Sequence, residues 1–471
     1  MAAVAPVRLP DVVSALAEAG VEAHLEDDPT AAVTGTAHDS RRVAPGDLFC
    51  CVVGAASDGH DHAPAAVGAG AAALLVERPL GLGVPEIVVG SVREAMGPAA
   101  SRIAGDPSRR LMVLGVTGTN GKTTVVHLLA SVFAAAGLPA RTIGTLTGAR
   151  TTPEAPELQA VLADAVADGA AVVAMEVSSH ALAMHRVDGT RFGVVGFTNL
   201  SPDHLDFHDS MEAYFGAKAR LFTPTFAERA VVDTDDTRGR LLRDGAAVPT
   251  VGVGLADARD LRLTASGSTF TWHGERVELA LPGRFNVRNA LVAGEMAVAA
   301  GVAPAVVARG ISAAPPVPGR MERVPGGPVD VVVDYAHTPD GLDQVVAALD
   351  EVTEGRLIVV FGCGGDRDAS KRPLMGAAAA AADVVVLTSD NPRSEDPGAI
   401  IDAVRTGIPA GTDLTVEPDR RRAIGLAVDA AHPGDTVLIA GKGHETTQTV
   451  GDRVIPFDDR VVAAEVLEAK R

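Results

Sequence analysis

Aromatic side chains are scarce in this sequence of 471 residues: they make up 3% of it, with one Trp, two Tyr and twelve Phe. The hydrophobic cores must therefore be packed mainly with Ala, Val and Leu. Hydrophobic residues make up 47% of the chain and charged residues 21%, an ordinary balance for a globular protein. At about 150 residues per domain, a chain of this length is expected to form three domains.

Cysteine is also rare, since the chain contains only Cys50, Cys51 and Cys363. Three thiols are too few for a disulfide framework, and their spacing does not match the spacing of metal ligands. We therefore expect all three to be small, neutral, buried side chains.

Long apolar runs are absent as well. No stretch of about 18 apolar residues occurs, because the best candidate, "MGAAAAAADVVVLTS", is interrupted by Asp383. The N-terminus has no basic stretch followed by an apolar one, since Arg8, Pro10 and Asp11 interrupt it. The sequence thus predicts a soluble, cytoplasmic protein without membrane insertion.

Positive charge is in deficit, because 41 Lys and Arg residues stand against 60 Asp and Glu residues, which gives a formal net charge of -19. A nucleic-acid partner would require a basic face, so the composition argues against one. An acidic protein can still bind phosphate locally, through backbone N–H groups and one or two well-placed cations.

Buried strands that alternate with helices are abundant. "GAAVVAMEVSS", "RFGVVGFTNLS", "GRLIVVFGCGG", "ADVVVLTSDNP" and "DTVLIAGKGHE" each combine a Val-rich run with a polar or glycine-rich end. This alternation predicts an α/β fold with mostly parallel sheets, whose ligands lie at the carboxyl ends of the strands. The stretch "DLRLTASGSTFTWHGERVELALPG" alternates residue by residue instead, and it predicts a small antiparallel patch.

Two breaks divide the chain. One is the "GDPS" segment before residue 109, and the other is the Pro- and Gly-rich stretch around Gly326. They predict domains over residues 1–107, 108–327 and 328–471. Substrates held on separate domains require closure, so we expect hinges near Asp106 and Gly326.

A phosphate-binding loop is the strongest single signal. In "GVTGTNGKTT" the glycines let the backbone wrap an anion, Lys122 can reach the outer phosphates of a nucleotide, and the Thr123 hydroxyl can ligate Mg²⁺. The usual pattern is not complete, because Val116 stands where its first glycine would be. A guanine-reading "NKxD" is missing, which excludes a GTPase but leaves an ATPase motor, a kinase or a ligase open.

Carboxylate and imidazole side chains follow two further strands. Glu176 ends a buried strand, where a charge is costly unless it is paired or metal-bound. The loop after the next strand contains Asn199, His204, Asp206 and His208. Because strand ends of a parallel sheet face the same side as the phosphate loop, we expect Glu176 and His204 to share Mg²⁺ with ATP.

The order and spacing of ten segments then resemble one known family over nearly the whole chain. These segments are "TGTNGKTT", "MEVSSHAL", "TNLSPDHLDFH", "YFGAKARLF", "GRFNVRNAL", "VPGRMERV", "DYAHTPD", "GCGGDRD", "DNPR" and "GKGHE". The family is that of the ATP-dependent Mur ligases of peptidoglycan synthesis, and the resemblance is to its MurE type. It implies three domains: a smaller N-terminal α/β uridine-binding domain, a central phosphate-loop domain with a mostly parallel sheet, and a C-terminal Rossmann-like domain that binds the amino acid.

The resemblance assigns catalytic and nucleotide roles by position. Lys218, which its neighbours alone would mark as structural, becomes a carbamate that supports a second metal ion. The implied catalytic residues are Lys122, Glu176, His204 and Lys218, and the implied metal ligands are Thr123, Glu176, His204 and the Lys218 carbamate. The implied ATP-binding residues are Gly118, Thr119, Asn120, Gly121, Lys122, Thr123, Thr124, Asn286, Asn289, Arg320 and Asp334.

The resemblance also implies the two other substrates. UDP-N-acetylmuramoyl-L-alanyl-D-glutamate would contact His38, Ser40, Ala55, Ala56, Ser57, Thr151, Thr152, Ser178, Met184 and Arg186. Met184 departs from the family pattern, because some relatives have a polar substrate contact at that position. The second substrate, meso-diaminopimelate, would contact Arg367, Asp390, Asn391, Pro392, Arg393, Gly441 and Glu445. The protein is expected to act as a monomer.

The segment "DNPR" marks members of this family that add meso-diaminopimelate rather than L-lysine. Diaminopimelate has an extra carboxylate, which the Arg393 guanidinium can bind through two hydrogen bonds, whereas the ammonium end of lysine would find no partner there. Asp390 and Asn391 can hydrogen-bond an ammonium group and fix the loop.

The implied reaction is amide formation. ATP phosphorylates the D-glutamyl γ-carboxylate, and the amine of diaminopimelate attacks the resulting acyl phosphate, with Mg²⁺ and Lys122 neutralising the developing charge. The sequence leaves the proton acceptor open between His204 and a nearby carboxylate. Alternatives are an L-lysine-adding ligase, a folylpolyglutamate synthase type, and a binding protein that hydrolyses ATP only as a switch.

Overall fold

The computed structural model describes residues 5–470, except residues 27, 29, 55, 56 and 328. Their elements form three α/β units, each built on its own principal sheet. The strands at the centre of each principal sheet are short, mostly Val-rich and buried on both faces, because helices cover both sides of a parallel sheet. The α/β fold with mostly parallel sheets is confirmed.

The first unit has a five-stranded sheet in the order β2-β7-β6-β5-β4, in which only β2 is antiparallel to its neighbour. A small pair, β1 with β3, lies beside it. Its strands are β1 (Val7–Arg8), β2 (Ala23–Glu26), β3 (Ala32–Val33), β4 (Gly35–Ala37), β5 (Asp47–Cys50), β6 (Ala73–Val76) and β7 (Glu86–Val89), and its helices are α1 (Leu9–Glu18), α2 (Ala63–Gly68) and α3 (Val92–Ile103).

The second unit has a parallel six-stranded sheet in the order β13-β12-β11-β8-β10-β9. Its strands are β8 (Met112–Thr117), β9 (Ala140–Ile143), β10 (Val172–Glu176), β11 (Phe192–Phe197), β12 (Ala227–Asp233) and β13 (Thr250–Val253). The predicted antiparallel patch is also found, as β14 (Arg259–Thr264), β15 (Gly267–Trp272) and β16 (Glu275–Leu279). The helices are α4 (Lys122–Ala135), α5 (Ala155–Ala167), α6 (Ser179–Ala183), α7 (Leu205–His208), α8 (Met211–Ala219), α9 (Thr237–Gly245), α10 (Arg284–Ala299) and α11 (Pro304–Ser312).

The third unit has a six-stranded sheet in the order β17-β18-β22-β19-β20-β21, in which only β17 is antiparallel. Its strands are β17 (Glu322–Val324), β18 (Asp330–Asp334), β19 (Leu357–Phe361), β20 (Val384–Leu387), β21 (Asp413–Val416) and β22 (Thr436–Ala440), followed by a hairpin of β23 (Thr447–Val450) and β24 (Arg453–Pro456). The helices are α12 (Pro339–Asp350), α13 (Lys371–Ala379), α14 (Pro397–Arg405), α15 (Arg420–Ala430) and α16 (Asp459–Ala469).

Strand β17 changes where the connection between the second and third units lies. Because β17 pairs with β18, the third sheet begins at Glu322, ahead of the predicted domain start at residue 328. Gly326 therefore lies between two paired strands of one sheet and does not join two units. The connecting segment is residues 313–321, between α11 and β17.

The cores have the composition that the scarcity of aromatic residues predicts. The largest cluster of buried side chains is made mainly of Val, Ala and Leu, and it extends from the second unit into the third. Cys50, Cys51 and Cys363 are free thiols, and all three are buried, as expected. Within the described part of the chain, no helix is both long and apolar enough to cross a membrane.

Where the units meet, glycines let the backbone of one segment approach the backbone of another closely. A Cβ on Gly97 of α3 would overlap the carbonyl of Asp188, and one on Gly189 would lie 2.6 Å from the carbonyl oxygen of Gly97. Between α11 and the third sheet, Gly319 packs in the same way, because a Cβ on Gly443 would lie 2.7 Å from its carbonyl oxygen. These contacts fix the first unit against the second, and the segment before β17 against the loop after β22.

Candidate active site

The phosphate loop connects β8 to α4. It turns through Gly118 (φ 150°) and Gly121 (φ 87°), both in backbone conformations that favour glycine. Lys122 is the first residue of α4, and its ammonium donates hydrogen bonds to the carbonyl oxygens of Gly118, at 3.0 Å, and Thr119, at 2.8 Å. Burial lowers the pKa of Lys122. The loop thus has the backbone and the cation that a nucleotide phosphate requires.

The carboxylate of Glu176 lies directly beside this loop. The parallel register pairs Glu176 with Val116, one residue before the end of β8. One carboxylate oxygen accepts from the backbone N–H of Thr145 at 2.8 Å, and the other accepts from the Thr123 hydroxyl at 3.1 Å. Arg320 in turn donates to the same hydroxyl at 3.2 Å. A carboxylate and a hydroxyl, both hard oxygen donors, are therefore juxtaposed at the phosphate loop.

His204 follows β11 in a left-handed conformation (φ 55°). Its Nε2 lies 3.4 Å from a carboxylate oxygen of Asp203. Burial lowers the pKa of His204 to about 4, against the opposing effect of Asp203. The imidazole is consequently neutral near pH 7, so it can ligate a metal ion or accept a proton.

Lys218 of α8 is buried directly beneath the phosphate loop. Its ammonium donates to the carbonyl oxygen of Gly118 at 2.8 Å and lies 4.5 Å from the ring centroid of Tyr214. The Tyr214 hydroxyl lies 3.1 Å from the hydroxyl of Thr119. Complete burial, together with the charge of Lys122, holds the pKa of Lys218 well below its ordinary value. The amine therefore has a strong tendency to be uncharged.

A cavity between the second and third units brings together ten of the eleven residues predicted to bind the nucleotide, and Gly118 does not line it. Arg320 stacks on Tyr335, with 4.3 Å from guanidinium to ring centroid, and the Asp334 carboxylate accepts from the backbone N–H groups of Met321 and Ala336. The predicted residues that line the cavity are Thr119, Asn120, Gly121, Lys122, Thr123, Thr124, Asn286, Asn289, Arg320 and Asp334. We call it the nucleotide cavity.

The residues predicted for the muramoyl dipeptide divide into two groups. In the first, the Thr152 hydroxyl donates to the carbonyl oxygen of Glu176 at 2.9 Å and accepts from the N–H of Ser178 at 3.1 Å. Arg186 donates to the Thr152 carbonyl at 3.3 Å, and the Met184 sulfur lies 3.5 Å from the same guanidinium. This group adjoins the nucleotide cavity, which Thr151 and Ser178 also line.

The second group belongs to the first unit. His38 lies 3.8 Å from the carboxylate of Glu157, and Ser40 begins a short 3-10 turn. Ser57 is exposed, and its carbonyl accepts from Gly54 at 2.9 Å. The predictions for Ala55 and Ala56 lie outside the described residues. None of the described members of this group lines the nucleotide cavity.

A second cavity lies at the carboxyl ends of β19, β20 and β22, and we call it the amino-acid cavity. The predicted residues that line it are Arg367, Asp390, Asn391, Arg393, Gly441 and Glu445. Pro392 is buried, with its carbonyl packed on Gly365. Burial raises the pKa of Asp390, and Gly441 (φ 114°) leaves room for its carboxylate, because a Cβ there would lie 2.6 Å from the nearer oxygen.

Arg393 is positioned by its backbone as well as by its side chain. Its φ is 52°, its N–H donates to the carbonyl of Thr449 at 3.1 Å, and its carbonyl accepts from Gly451 at 2.7 Å, so the β23–β24 hairpin fixes the loop. One guanidinium nitrogen donates to the Gly365 carbonyl at 2.6 Å. The other guanidinium N–H groups have no hydrogen-bond partner among the described residues. They are available to a carboxylate in the cavity.

The two cavities share a wall. Asp203 and His204 from the second unit, with Tyr335 and His337 from the third, line both of them. Only His204 was predicted from the sequence. Tyr335 and His337 lie in "DYAHTPD", which follows a buried strand as the other predicted loops do, so that pattern could have indicated them. Lys371 of the amino-acid cavity had no comparable signal.

Comparison with family models gives three consecutive matches. The model described as "Mur ligase family, catalytic domain" matches residues 32–103, "Mur ligase middle domain" matches residues 116–297, and "Mur ligase, glutamate ligase domain" matches residues 319–443. The last match, like the third sheet, begins ahead of residue 328.

Individual relatives are similar over almost their whole length. The UDP-N-acetylmuramoyl-L-alanyl-D-glutamate--2,6-diaminopimelate ligase of Streptomyces coelicolor is 47% identical over an alignment 473 positions long, which covers 94% of this chain and 94% of that protein. A solved structure of a ligase with the same name is 35% identical, with a TM-score of 0.69, and covers 94% of this chain and 96% of that one. The MurF ligase of Thermotoga maritima in complex with ADP has a similar fold at 18% identity, with a TM-score of 0.65 and coverage of 93% and 98%.

Proposed function

The chain belongs to the Mur ligase family, and we propose that it joins meso-diaminopimelate to the D-glutamyl γ-carboxylate of UDP-N-acetylmuramoyl-L-alanyl-D-glutamate, with hydrolysis of ATP, in peptidoglycan biosynthesis. One observation carries the proposal: a cavity built on a phosphate loop shares its wall with a cavity that presents an open guanidinium. An acyl phosphate and an amine could meet across Asp203, His204, Tyr335 and His337.

ATP would occupy the nucleotide cavity with its phosphates at the Gly118–Thr124 loop. Mg²⁺ is commonly held by one or two carboxylates together with substrate phosphates, and the Thr123 hydroxyl and Glu176 carboxylate, 3.1 Å apart, match that donor chemistry. His204, neutral near pH 7, could add a nitrogen ligand. Bound there, Mg²⁺ would supply charge neutralisation on the phosphates.

Lys218 has the properties that carbamylation requires. An uncharged amine attacks the carbon of CO2 and loses one proton, which leaves an anionic carbamate, and burial favours the uncharged form. With ¹³C-bicarbonate, the wild-type protein should show a carbamate ¹³C signal that is missing from the Lys218→Arg variant. The same signal in both proteins would contradict the proposal.

The chain's own residues would act at two steps. In the first, the γ-carboxylate oxygen attacks the terminal phosphorus and ADP leaves, while Lys122 neutralises charge on the transferred group. In the second, the amine nitrogen attacks the acyl carbon, and the tetrahedral intermediate expels phosphate to leave the amide. The proton that the amine loses can pass to Asp203, or to His204 if that imidazole does not ligate Mg²⁺, since the two side chains lie side by side on the shared wall.

The amino-acid cavity has two groups that suit diaminopimelate. Arg393 can bind the distal carboxylate through its free N–H groups, and Glu445, in contact with Asn391 at 2.8 Å, can accept from the distal ammonium. L-Lysine lacks that carboxylate and would leave Arg393 unpaired. The cavity therefore favours the diacid.

An ADP-release assay with the muramoyl dipeptide tests the proposal by comparing meso-diaminopimelate, L-lysine and buffer. We expect release only with diaminopimelate. Release with L-lysine would identify a lysine-adding ligase, and release without either substrate would favour a nucleotide switch. Turnover of a folate with L-glutamate instead of the dipeptide would identify a folylpolyglutamate synthase type.

The remaining features of the proposal concern the whole chain. We place the uridine-binding domain at residues 1–107 and, with the second boundary moved from residue 328 to the start of β17, the ATP-binding domain at residues 108–321 and the amino-acid-binding domain at residues 322–471. The enzyme would act as a cytoplasmic monomer without a nucleic-acid partner, in keeping with its net charge of -19.

A further inference from the structure

Lys442, directly after β22, is fully buried beside the amino-acid cavity. Its ammonium has three acceptors, the Thr447 carbonyl at 2.6 Å, a carboxylate oxygen of Glu445 at 3.1 Å and the Asn391 amide oxygen at 3.3 Å. Three N–H groups thus meet three acceptors, which is the condition for keeping a lysine charge out of water. The burial costs free energy that a purely structural apolar side chain would not require.

Glu445 is held asymmetrically as a result. Its Oε2 accepts from both Lys442, at 3.1 Å, and the Asn391 amide, at 2.8 Å. Its Oε1 has no hydrogen-bond partner within the described part of the chain. The side chain is 33% exposed and lines the cavity. One carboxylate oxygen is therefore anchored, and the other is presented to a ligand.

Asn391 closes the arrangement. Its amide oxygen accepts from the backbone N–H of Thr449 at 2.9 Å as well as from Lys442, while its amide nitrogen donates to Glu445. Without the lysine, the carboxylate would keep a single contact and could rotate about its χ angles. The Lys442 ammonium, by contacting both Asn391 and Glu445, connects the "DNPR" segment to the "GKGHE" segment.

We infer that Lys442 is a positioning residue for amino-acid selection, which directs the free Oε1 of Glu445 at the distal ammonium of the diamino diacid. The inference rests on the proposed function. Lys442 also lies 3.1 Å from one oxygen of Glu445 and offsets part of its charge, so the carboxylate favours an ammonium that is placed to contact its free oxygen. L-Lysine has the same distal ammonium but no carboxylate for Arg393, so Glu445 fixes the position of the ammonium and Arg393 distinguishes the diacid from lysine.

The test replaces Lys442 by Met, which preserves length and removes the charge. We expect KM for meso-diaminopimelate to rise about 10- to 100-fold, the range for losing hydrogen bonds to a charged group. KM for ATP and for the dipeptide should stay within about twofold, and the preference for the meso over the L,L isomer should fall.

Two further variants serve for comparison. In Lys442→Gln, which keeps a hydrogen-bond donor, KM for meso-diaminopimelate should rise by less than in Lys442→Met. Lys470→Met, at the end of α16 and away from both cavities, is the matched control.

A double-mutant cycle separates positioning from a general structural role. If Lys442 acts through Glu445, then Lys442→Met combined with Glu445→Gln should raise KM for diaminopimelate little more than Glu445→Gln alone. Independent effects, or a parallel rise of KM for all three substrates, would overturn the inference. Wild-type protein that releases no ADP with diaminopimelate would refute the proposed function instead, before any variant is compared.

Discussion

At the scale of single residues, the guanidinium of Arg393 is the group that we propose binds the distal carboxylate of diaminopimelate. A lysine side chain at position 393 would have the same charge, but its ammonium could not form the two parallel hydrogen bonds that a guanidinium forms with a carboxylate. We expect Arg393→Lys to lower kcat/KM for meso-diaminopimelate about 10- to 100-fold while KM for ATP is unchanged. Steady-state ADP release checks this, with the exposed Arg405→Lys as control. Unchanged use of diaminopimelate would contradict the assignment.

His208 gives a pH-dependent stability. It is buried, with its Nε2 2.9 Å from the Ser179 hydroxyl, and this burial lowers its pKa to about 4. Between about pH 6.5 and pH 4 the unfolded imidazole is protonated and the folded one is not. The neutral, buried imidazole of His208 therefore contributes its whole share of the free energy of unfolding above about pH 6.5, and this share is lost as the pH falls from about 6.5 towards 4.

The measurement is the free energy of unfolding by denaturant at pH 7, 6 and 5. His208→Gln retains a polar partner for Ser179 but does not titrate. Its stability should depend on pH less steeply than that of the wild type, by at most ~1.4 kcal/mol per pH unit, the slope for one proton. Equal slopes for the two proteins would show that His208 is already protonated when folded.

At the scale of elements, the glycines of the phosphate loop are the most constrained. A side chain on Gly121 (φ 87°) would overlap the amide of Asn289. Gly121→Ala should lower the free energy of unfolding by ~1–2 kcal/mol, because alanine is strained in the left-handed conformation. It should also weaken ATP binding, because the added methyl group displaces the Asn289 amide beside the loop. Gly137→Ala, with φ 72° and open space around it, is the matched control and should affect stability alone. Calorimetric titration with ATP distinguishes them, and equal affinities would contradict the prediction.

Most elements near the site were predictable from the sequence. Val-rich runs ending in polar residues predicted β10, β11, β19, β20 and β22, because a buried parallel strand is apolar along its length and its ligands lie at its end. The alternating stretch likewise predicted the β14–β16 patch. Strand order was not predictable, since it depends on contacts between segments far apart in sequence.

Two residues show where local patterns stop being informative. Lys218 lies beneath the phosphate loop because α8 packs against α6, and its own neighbours in sequence indicate only a helix. Lys442 sits between two glycines, but its burial depends on Asn391 of "DNPR", which follows β20, as well as on Thr447 of the hairpin after β22. Burial of a charge is a tertiary property, so no motif local to either lysine predicts it.

At the scale of the whole molecule, the first unit docks on the second with little space between them. A Cβ on Gly189 would lie 2.6 Å from the Gly97 carbonyl, and its φ is 81°. Gly189→Ala should therefore shift the first unit and raise KM for the UDP-linked dipeptide about tenfold or more, with KM for ATP nearly unchanged. Gly169→Ala, with φ 76° and nothing nearby, should leave both values unchanged. Equal KM values for the two variants would show that this junction does not orient the dipeptide.

The third unit carries parts of both cavities on neighbouring strands of a single sheet. Asp334 ends β18 and pairs in register with Ala440, which ends β22 and precedes the lysine and glutamate of "GKGHE". The contact of Gly443 with Gly319 ties that loop to the segment that leads into Arg320. Any swing of this unit must carry both surfaces together. A closing movement of this unit would therefore bring a bound amine towards the acyl phosphate and cover the triphosphate in one step, which would couple the use of ATP to the presence of the amino acid.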